Sequence, residues 1–449
     1  MKQVFKRALL LLLPVLLLVG GTGIFCIRYV TRGSQWAAFP ANEHAYTDGR
    51  LSSGQLLDRE GRLLYDAASD SYSDDESFRR ATLHAVGDSD GNIATSARSA
   101  LSDHMVGYNP ITGTQNGGNK VYLTIDAELN ETALNALGWR KGTVGLYNYQ
   151  TGEVLCMVST PTFDPLYPPE IYEGDDTYDG VYLNRLLSAS FTPGSIFKVV
   201  TAAAAIENIP DLMDRTFTCT GSTEIGDESI SCPYAHGEMT FSDAFARSCN
   251  CAFAQLATEM GGKTMKKYTR TAGLLSQHTV SGIDTAAGSY DIDNQEGLGW
   301  SGAGQFHNMV NPSSMMTLMG SIAADGKAAQ PHLIHRKSTI HGIPLFGEFT
   351  ETAKLGWKPE TCQQLRDIMS QAVDETYGRD NFGGLPLCAK SGTAEVGEGK
   401  APHAWFTGFL NDPAHPYAFV VLVENGGGGA DVAGPIASQI LQQAVDSNL

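Results

Sequence analysis

The sequence predicts an α+β fold: a central five-stranded antiparallel sheet with helices on its faces, preceded by a small β-rich module and, ahead of both, an apolar helix. Three observations predict it. Two β-rich runs open the largest region and three close it, with helical stretches between, so the two ends of that region pair into one sheet. A Gly- and Asn-rich break at 113–119 sets this region apart from a Ser-, Asp- and Gly-rich stretch before it. An uncharged run from Ala8 to Ile27 has the ~20 residues that span a bilayer. The expected organisation is therefore 1–30 as cytoplasmic N-terminus and transmembrane anchor, 31–118 as a short module or linker, and 119–449 as the main domain.

Lys2, Lys6 and Arg7 precede the apolar run and Arg28 and Arg32 follow it. Basic residues at the front favour a cytoplasmic N-terminus and an exported remainder, although the two later arginines weaken the asymmetry. Gly21, Thr22 and Gly23 would also suit a cleaved secretory signal, but apolar character resumes from Ile24 to Ile27, which favours a retained anchor. Formal charge is −18, from 49 acidic and 31 basic residues, so the average field repels nucleic acid and that class of partner is discounted.

In the module, short apolar runs at 55–65 and 82–86 sit among turn residues, which reads as loop-rich and mostly β. After the break, 121–125 alternates as a strand, and Asp126 can cap a helix to about residue 137. Runs 143–149 and 154–158 are joined by Gln150, Thr151 and Gly152, a hairpin signal. The Ala-rich stretch 195–208 is helical up to Pro210, and 312–324 is a helix stopped by Asp325 and Gly326. Runs 387–391, 404–409 and 417–424 are strands between Gly/Pro turns, and 435–445 is a closing amphipathic helix.

Of the eight cysteines, Cys26 lies in the apolar run, and Cys156, Cys251, Cys362 and Cys388 sit among apolar neighbours as core residues. Cys219 and Cys232 bracket a polar loop with Gly221 and Gly226, a hairpin that a disulfide could close in an exported protein. No CxxC pair with a distal partner pair occurs, so neither a metal site nor a cofactor is expected.

Three short patterns occur once each and in a fixed order: Ser195-Ile-Phe-Lys198, Ser248-Cys-Asn250 and Lys390-Ser391-Gly392-Thr393. Each alone has an ordinary reading: a helix cap with a solvated lysine, a capping pair, a surface turn. Together they assemble a chemistry. Ser195 follows the Pro193-Gly194 turn and opens the Ala-rich helix, where free backbone N–H groups favour a developing anion. Lys198 lies three residues on, on the same face, and serves as a base if burial and nearby cations lower its pKa. Ser248 can relay a proton and Asn250 can hold a carbonyl or the lysine, from a loop after the helical stretch 240–247. Lys390, Ser391 and Thr393 lie on a strand whose Gly392 allows close backbone approach, suited to an extended peptide ending in a carboxylate.

The set resembles the SxxK, SxN and K[ST]G motifs of penicillin-interacting serine enzymes, and the chain is similar to class B penicillin-binding proteins from about Gly54 onward. Leu57-Asp-Arg-Glu-Gly61 resembles the start of that family's N-terminal module, Leu123-Thr-Ile-Asp126 the opening of its transpeptidase domain, and Thr151-Gly-Glu-Val-Leu-Cys-Met-Val158 its first hairpin. Pro193-Gly-Ser195 with Phe197-Lys198, His236-Gly237, Gly302 to Gln305 and Trp405-Phe-Thr-Gly-Phe409 have counterparts too. The resemblance implies the penicillin-binding transpeptidase fold and a D-Ala-D-Ala stem-peptide donor of peptidoglycan, with β-lactams as inhibitors. It implies Ser195 as nucleophile, Lys198 as its base, Ser248 as proton relay and Asn250 as a substrate contact. Lys390 and Thr393 would recognise the carboxylate, and the backbone N–H groups of Ser195 and Thr393 would form the oxyanion hole. Membrane anchoring and a polytopic glycosyltransferase of the shape, elongation, division and sporulation class as partner are implied likewise. Ser391 stands where Thr is commoner, which keeps a hydroxyl, and the N-terminal module is short for the family.

A D,D-carboxypeptidase or a serine β-lactamase shares this nucleophile and base, and differs in delivering water rather than an amine to the acyl-enzyme. The anchor, the module and the long interval from Ser248 to Lys390 favour the transpeptidase. A β-lactam receptor would need an output domain, and a non-catalytic scaffold would not need every motif residue intact.

Overall fold

The structure is a computed structural model that describes residues 2–43, 45–47, 50–109, 111–112, 117–172, 174, 176–292, 294–345, 347, 350–353, 355–397 and 399–449. The expected break at 113–119 lies partly outside these residues. The apolar run is one helix, Lys2–Ala37, whose most apolar 18-residue stretch has mean hydropathy 2.5 and is exposed, while its end packs on the chain through Tyr29 and Gly33 against Tyr108. It is long and apolar enough to cross a membrane.

The central sheet has the expected five antiparallel strands: β1 (Gly142–Asn148), β2 (Val154–Thr160), β3 (Leu387–Ala394), β4 (His403–Leu410) and β5 (Tyr417–Val423), in the order β3-β4-β5-β1-β2. The last strand of the chain thus pairs with the first of the domain, Val421 opposite Val144 and Leu422 opposite Thr143. Every residue of β2, β4 and β5 is buried, because helices cover both faces; this is why these strands read as continuous apolar runs rather than alternating ones. Of the helices α1 (Ala127–Leu137), α2 (Lys198–Asn208), α3 (Phe241–Ala246), α4 (Asn250–Met260), α5 (Pro312–Ala323), α6 (Pro359–Ala372) and α7 (Gly434–Asp446), α1, α5, α6 and α7 pack on the strands, α2 and α3 pack on α6, and α4 packs on α2.

Side-chain caps set the start of α1, where Asp126 was expected, and of α5. Asp126 accepts from Leu129 N at the head of α1, and Asn311 accepts from Ser314 N ahead of Pro312 at the head of α5. Trp405 is the largest fully buried side chain, and its Nε1 donates to Thr192 O at 2.9 Å, fixing the segment that leads into Ser195.

A second, six-stranded sheet runs in the order Pro344–Leu345, Ile334–Thr339, Asn119–Leu123, Gln55–Leu57, Leu63–Asp66, Ser71–Tyr72. Gln55–Leu57 and Asn119–Leu123 pair in parallel. The division expected at residue 118 therefore does not separate two sheets, since this one draws strands from both sides of it. The stretch 31–118 is also less β-rich than expected. The N-terminal helix runs on to Ala37, and short helices occupy Glu76–Ala81, Leu83–Val86, Ala97–Ala100 and Ser102–Met105.

Candidate active site

Ser195 was expected to open an α-helix. Instead it sits in a 3-10 turn, Gly194–Phe197, and α2 begins at Lys198. In a 3-10 turn residues three apart eclipse one another, which brings Lys198 Nζ to 2.8 Å from Ser195 Oγ. The turn is pressed onto β3: Gly194 has φ +56°, and a Cβ there would stand 2.6 Å from Thr393 O. Gly392 provides the reciprocal clearance, since its Cβ would lie 2.8 Å from Pro193 O.

Ser248 occupies the corner between α3 and α4 with φ +57°, a conformation that non-glycine residues adopt at a cost of ~1–3 kcal/mol. The corner turns its hydroxyl and its carbonyl inward. Lys198 Nζ lies 2.8 Å from Ser248 O, 3.1 Å from Ser248 Oγ and 2.7 Å from Asn250 Oδ1, in addition to Ser195 Oγ. Asn250 is the first residue of α4, and its Nδ2 donates to Ser231 O at 2.8 Å, so its amide is held from both ends.

Lys390, on β3, is fully buried and donates to Ser248 Oγ at 3.1 Å and to Ser391 O at 3.0 Å. Burial, followed by the neighbouring Lys390, drives the Lys198 pKa well below its ordinary value, and burial brings Lys390 down to about 7. Ser391 is half-buried and Thr393 exposed, so their side chains face the cleft. Gln305 Nε2 donates to Thr393 O at 3.1 Å.

Sequence reasoning missed Tyr377. It ends a π-helical turn, Val373–Tyr377, that follows α6, and packs edge-on against Phe406. Its hydroxyl accepts from Ser391 N at 2.9 Å and donates to Ser391 Oγ at 3.0 Å, which fixes the motif strand from behind. No motif marks it; only the fold brings residue 377 to residue 391.

Five of the eight motif residues, Ser195, Ser248, Asn250, Ser391 and Thr393, thus line the wall of one cleft of about 620 Å³, beside Tyr234, Arg247, Trp300, Phe306 and Glu395. Lys198 and Lys390 lie behind that wall and Gly392 beneath it.

The cysteines depart from expectation. The hairpin exists, as Ser222–Ile225 paired with Glu228–Ser231, but Cys219 and Cys232 are free thiols rather than a disulfide. The side chains turn to other partners: Cys219 Sγ to His236 Nδ1 at 3.4 Å, and Cys232 Sγ to Cys249 Sγ at 3.8 Å and Cys251 Sγ at 3.5 Å. Cys156, Cys251, Cys362 and Cys388 are buried, as expected of core residues.

Residues 142–442 match the penicillin-binding protein transpeptidase domain, and the chain belongs to that family. Peptidoglycan D,D-transpeptidase PbpA of Mycolicibacterium smegmatis is 28% identical over 376 residues, covering 77% of this chain and 75% of that protein. Among solved structures, the ceftriaxone acyl-enzyme complex of penicillin-binding protein A from M. tuberculosis superposes with a TM-score of 0.74 at 22% identity, over 88% of this chain and 98% of that one. The D,D-transpeptidase domain of a peptidoglycan glycosyltransferase from Eggerthella lenta gives 0.73 at 21% identity, over 88% and 98%. These structures share the fold.

Proposed function

We propose that the chain is a membrane-anchored peptidoglycan D,D-transpeptidase that works through an acyl-enzyme on Ser195. The observation that carries this reading is the four-way contact of Lys198 Nζ with Ser195 Oγ, Ser248 O, Ser248 Oγ and Asn250 Oδ1. A lysine held by three acceptors beside a serine hydroxyl, with its charged form disfavoured, is a base aimed at that hydroxyl. Neutral Lys198 takes the Ser195 proton as Oγ attacks the carbonyl of the penultimate D-Ala of a stem peptide. The N–H groups of Ser195 and Thr393 stabilise the tetrahedral oxyanion.

Ser248 Oγ, within reach of both lysines, passes the proton to the departing D-Ala amine, and the acyl-enzyme remains. An acceptor amine then attacks, its proton returns along the same relay, and Ser195 is restored. Asn250 holds Lys198 and the donor backbone. Ser391 and Thr393 offer hydroxyls to the donor carboxylate, with Lys390 behind them and Gly392 clearing the approach. β-Lactams acylate Ser195 by the same steps.

The segment 119–449 carries the transpeptidase, the first 30 residues anchor it, and the catalytic part lies outside the cytoplasmic membrane, where its substrate is. A polytopic glycosyltransferase of the shape, elongation, division and sporulation class is the membrane partner in this reading. Intact-protein mass spectrometry of the full chain should show one added penicillin, lost in Ser195→Ala. A D-Ala-D-Ala peptide given with an amine should yield the amine-linked product in preference to the hydrolysed one. Labelling of Ser195→Ala on Ser248 or Ser391 would overturn the nucleophile, and hydrolysis alone would favour a carboxypeptidase.

A further inference from the structure

Cys219, Cys232, His236 and Cys249 come from four separate points on the chain. Cys219 ends the strand Phe217–Cys219, Cys232 follows the hairpin, His236 precedes the strand Gly237–Met239, and Cys249 caps α4. Strand pairing sets Cys219 opposite Gly237, and Cys232 N donates to Gly221 O at 2.8 Å, so these pieces fold onto the N-terminus of α4. Their three sulfurs and one ring nitrogen all lie within 4.8 Å of one another.

The individual separations carry more than the proximity does. Four donors held by one tetrahedral zinc-like ion, at about 2.3 Å for sulfur and 2.05 Å for nitrogen, stand about 3.8 Å apart for S–S and about 3.5 Å for S–N. Cys232 and Cys249 are 3.8 Å apart, and Cys219 and His236 are 3.4 Å apart. A disulfide needs about 2.05 Å between sulfurs, so none of these contacts is one. Backbone N–H groups also point at the sulfurs, Asn250 N at Cys232 (3.2 Å) and Ala252 N at Cys249 (3.5 Å), an arrangement suited to thiolates. Cys219, His236 and Cys249 are buried and Cys232 half-buried, which gives a closed rather than a catalytic site. The hairpin Ser222–Ile225/Glu228–Ser231 has little apolar core, chiefly Ile225 and Ile230 against Ala254 and Trp300, and such small units commonly need a staple.

We propose that Cys219, Cys232, His236 and Cys249 bind one divalent, thiophilic metal ion of the zinc class, and that this ion sets the position of Asn250. Binding displaces three thiol protons and leaves the imidazole neutral, with no change of oxidation state. Two contacts carry the effect to the cleft. Cys249 sits between Ser248 and Asn250 in the motif, and Cys232 accepts the Asn250 N–H. In an oxidising compartment the same ligation would also protect clustered thiols that otherwise tend to pair. Cys251, whose thiol lies 3.5 Å from Cys232 Sγ and donates to Ile230 O at 3.6 Å, is outside the group of four whose donor atoms all meet within 4.8 Å. The binding stands on geometry alone; only its coupling to Ser195 rests on the transpeptidase reading.

Full-length protein, purified in detergent without chelators, should carry one zinc per chain by elemental mass spectrometry. Cobalt(II) substituted for it should show the charge-transfer and d–d bands of a tetrahedral thiolate site. Cys219→Ser and His236→Ala should fall well below one metal per chain, whereas Cys251→Ser should keep it. Metal-free wild type, with its thiols free or with Cys219 and Cys232 linked, would overturn the site. In the metal-depleted protein, penicillin acylation should slow by ~10²-fold, the effect of a displacement of about 1 Å in a catalytic group. An unchanged rate would overturn the coupling. Absence of acylation in the metal-loaded protein would instead count against the transpeptidase reading.

Discussion

At Ser248 one hydroxyl oxygen lies 3.1 Å from the nitrogens of both Lys198 and Lys390, and both lysines are fully buried. Two ammonium groups so placed repel each other and lack solvent, so the pair sheds a proton that each would keep in water. The sequence suggested the lowered Lys198, from its spacing to Ser195, but assigned Lys390 to a carboxylate. Nothing in a K[ST]G pattern reveals that strand β3 turns its lysine inward to the relay. The shift has a thermodynamic signature. Lys390 titrates at about 7 when folded against an ordinary 10.5, so between these values the unfolded chain holds more protons and stability rises with pH. Lys198 acts in the same direction. Lys390→Met should therefore melt at a higher temperature than wild type near pH 7, by the equivalent of ~1–3 kcal/mol. Calorimetry across pH should show the gap closing toward ~10, and an equal gap at all pH would contradict a neutral Lys390. The variant should lose most of its acylation rate.

At the level of elements, the five strands of the central sheet and helices α1, α2, α5 and α7 were readable because one signal dominated each. Asp126 and Asn311 are local caps, and β5 is an unbroken apolar run bounded by Pro416 and Glu424. Helix α6 was missed although Cys362, Leu365, Ile368, Met369 and Ala372 follow the helical period, because polar residues fill its other face and no motif lies on it. The start of α2 was misread for a different reason. An α-helix and a 3-10 turn share their propensities, and here packing against β3 tightens the first turn. Gly194→Ala tests that packing, because its φ of +56° and the 2.6 Å approach to Thr393 O leave no room for a methyl group. We expect a loss of ~2–3 kcal/mol in denaturant unfolding and little acylation. Wild-type stability would show that the turn can back away from the strand.

For the whole molecule, the boundary expected at residue 118 does not divide the structure in space. Parallel pairing of residues 55–57 with 120–122, and the addition of 334–345 to the same sheet, are long-range contacts that no local pattern announces. The same is true of the four ligand residues, whose spacing matches no short motif and whose meeting depends on two strand pairs. Removing residues 1–37 should release the protein from membranes in fractionation while leaving penicillin labelling of Ser195 intact, because the apolar stretch of that helix is exposed and its end touches the chain near Tyr108, far in sequence from the motif residues. Retention in the membrane fraction would mean that another surface holds it there.

The six-stranded sheet has a mechanical consequence. Arg59, just past its strand Gln55–Leu57, reaches Glu153 beside β2 at 3.8 Å, and Asp126, just past Asn119–Leu123, takes a backbone bond from its own N–H to Leu155 O in β2 at 3.0 Å. The small module is thus bolted to the far edge of the sheet whose opposite edge is β3. A load placed on residues 55–72 is passed across this joint into the sheet that carries β3, rather than being taken up by a slack tether.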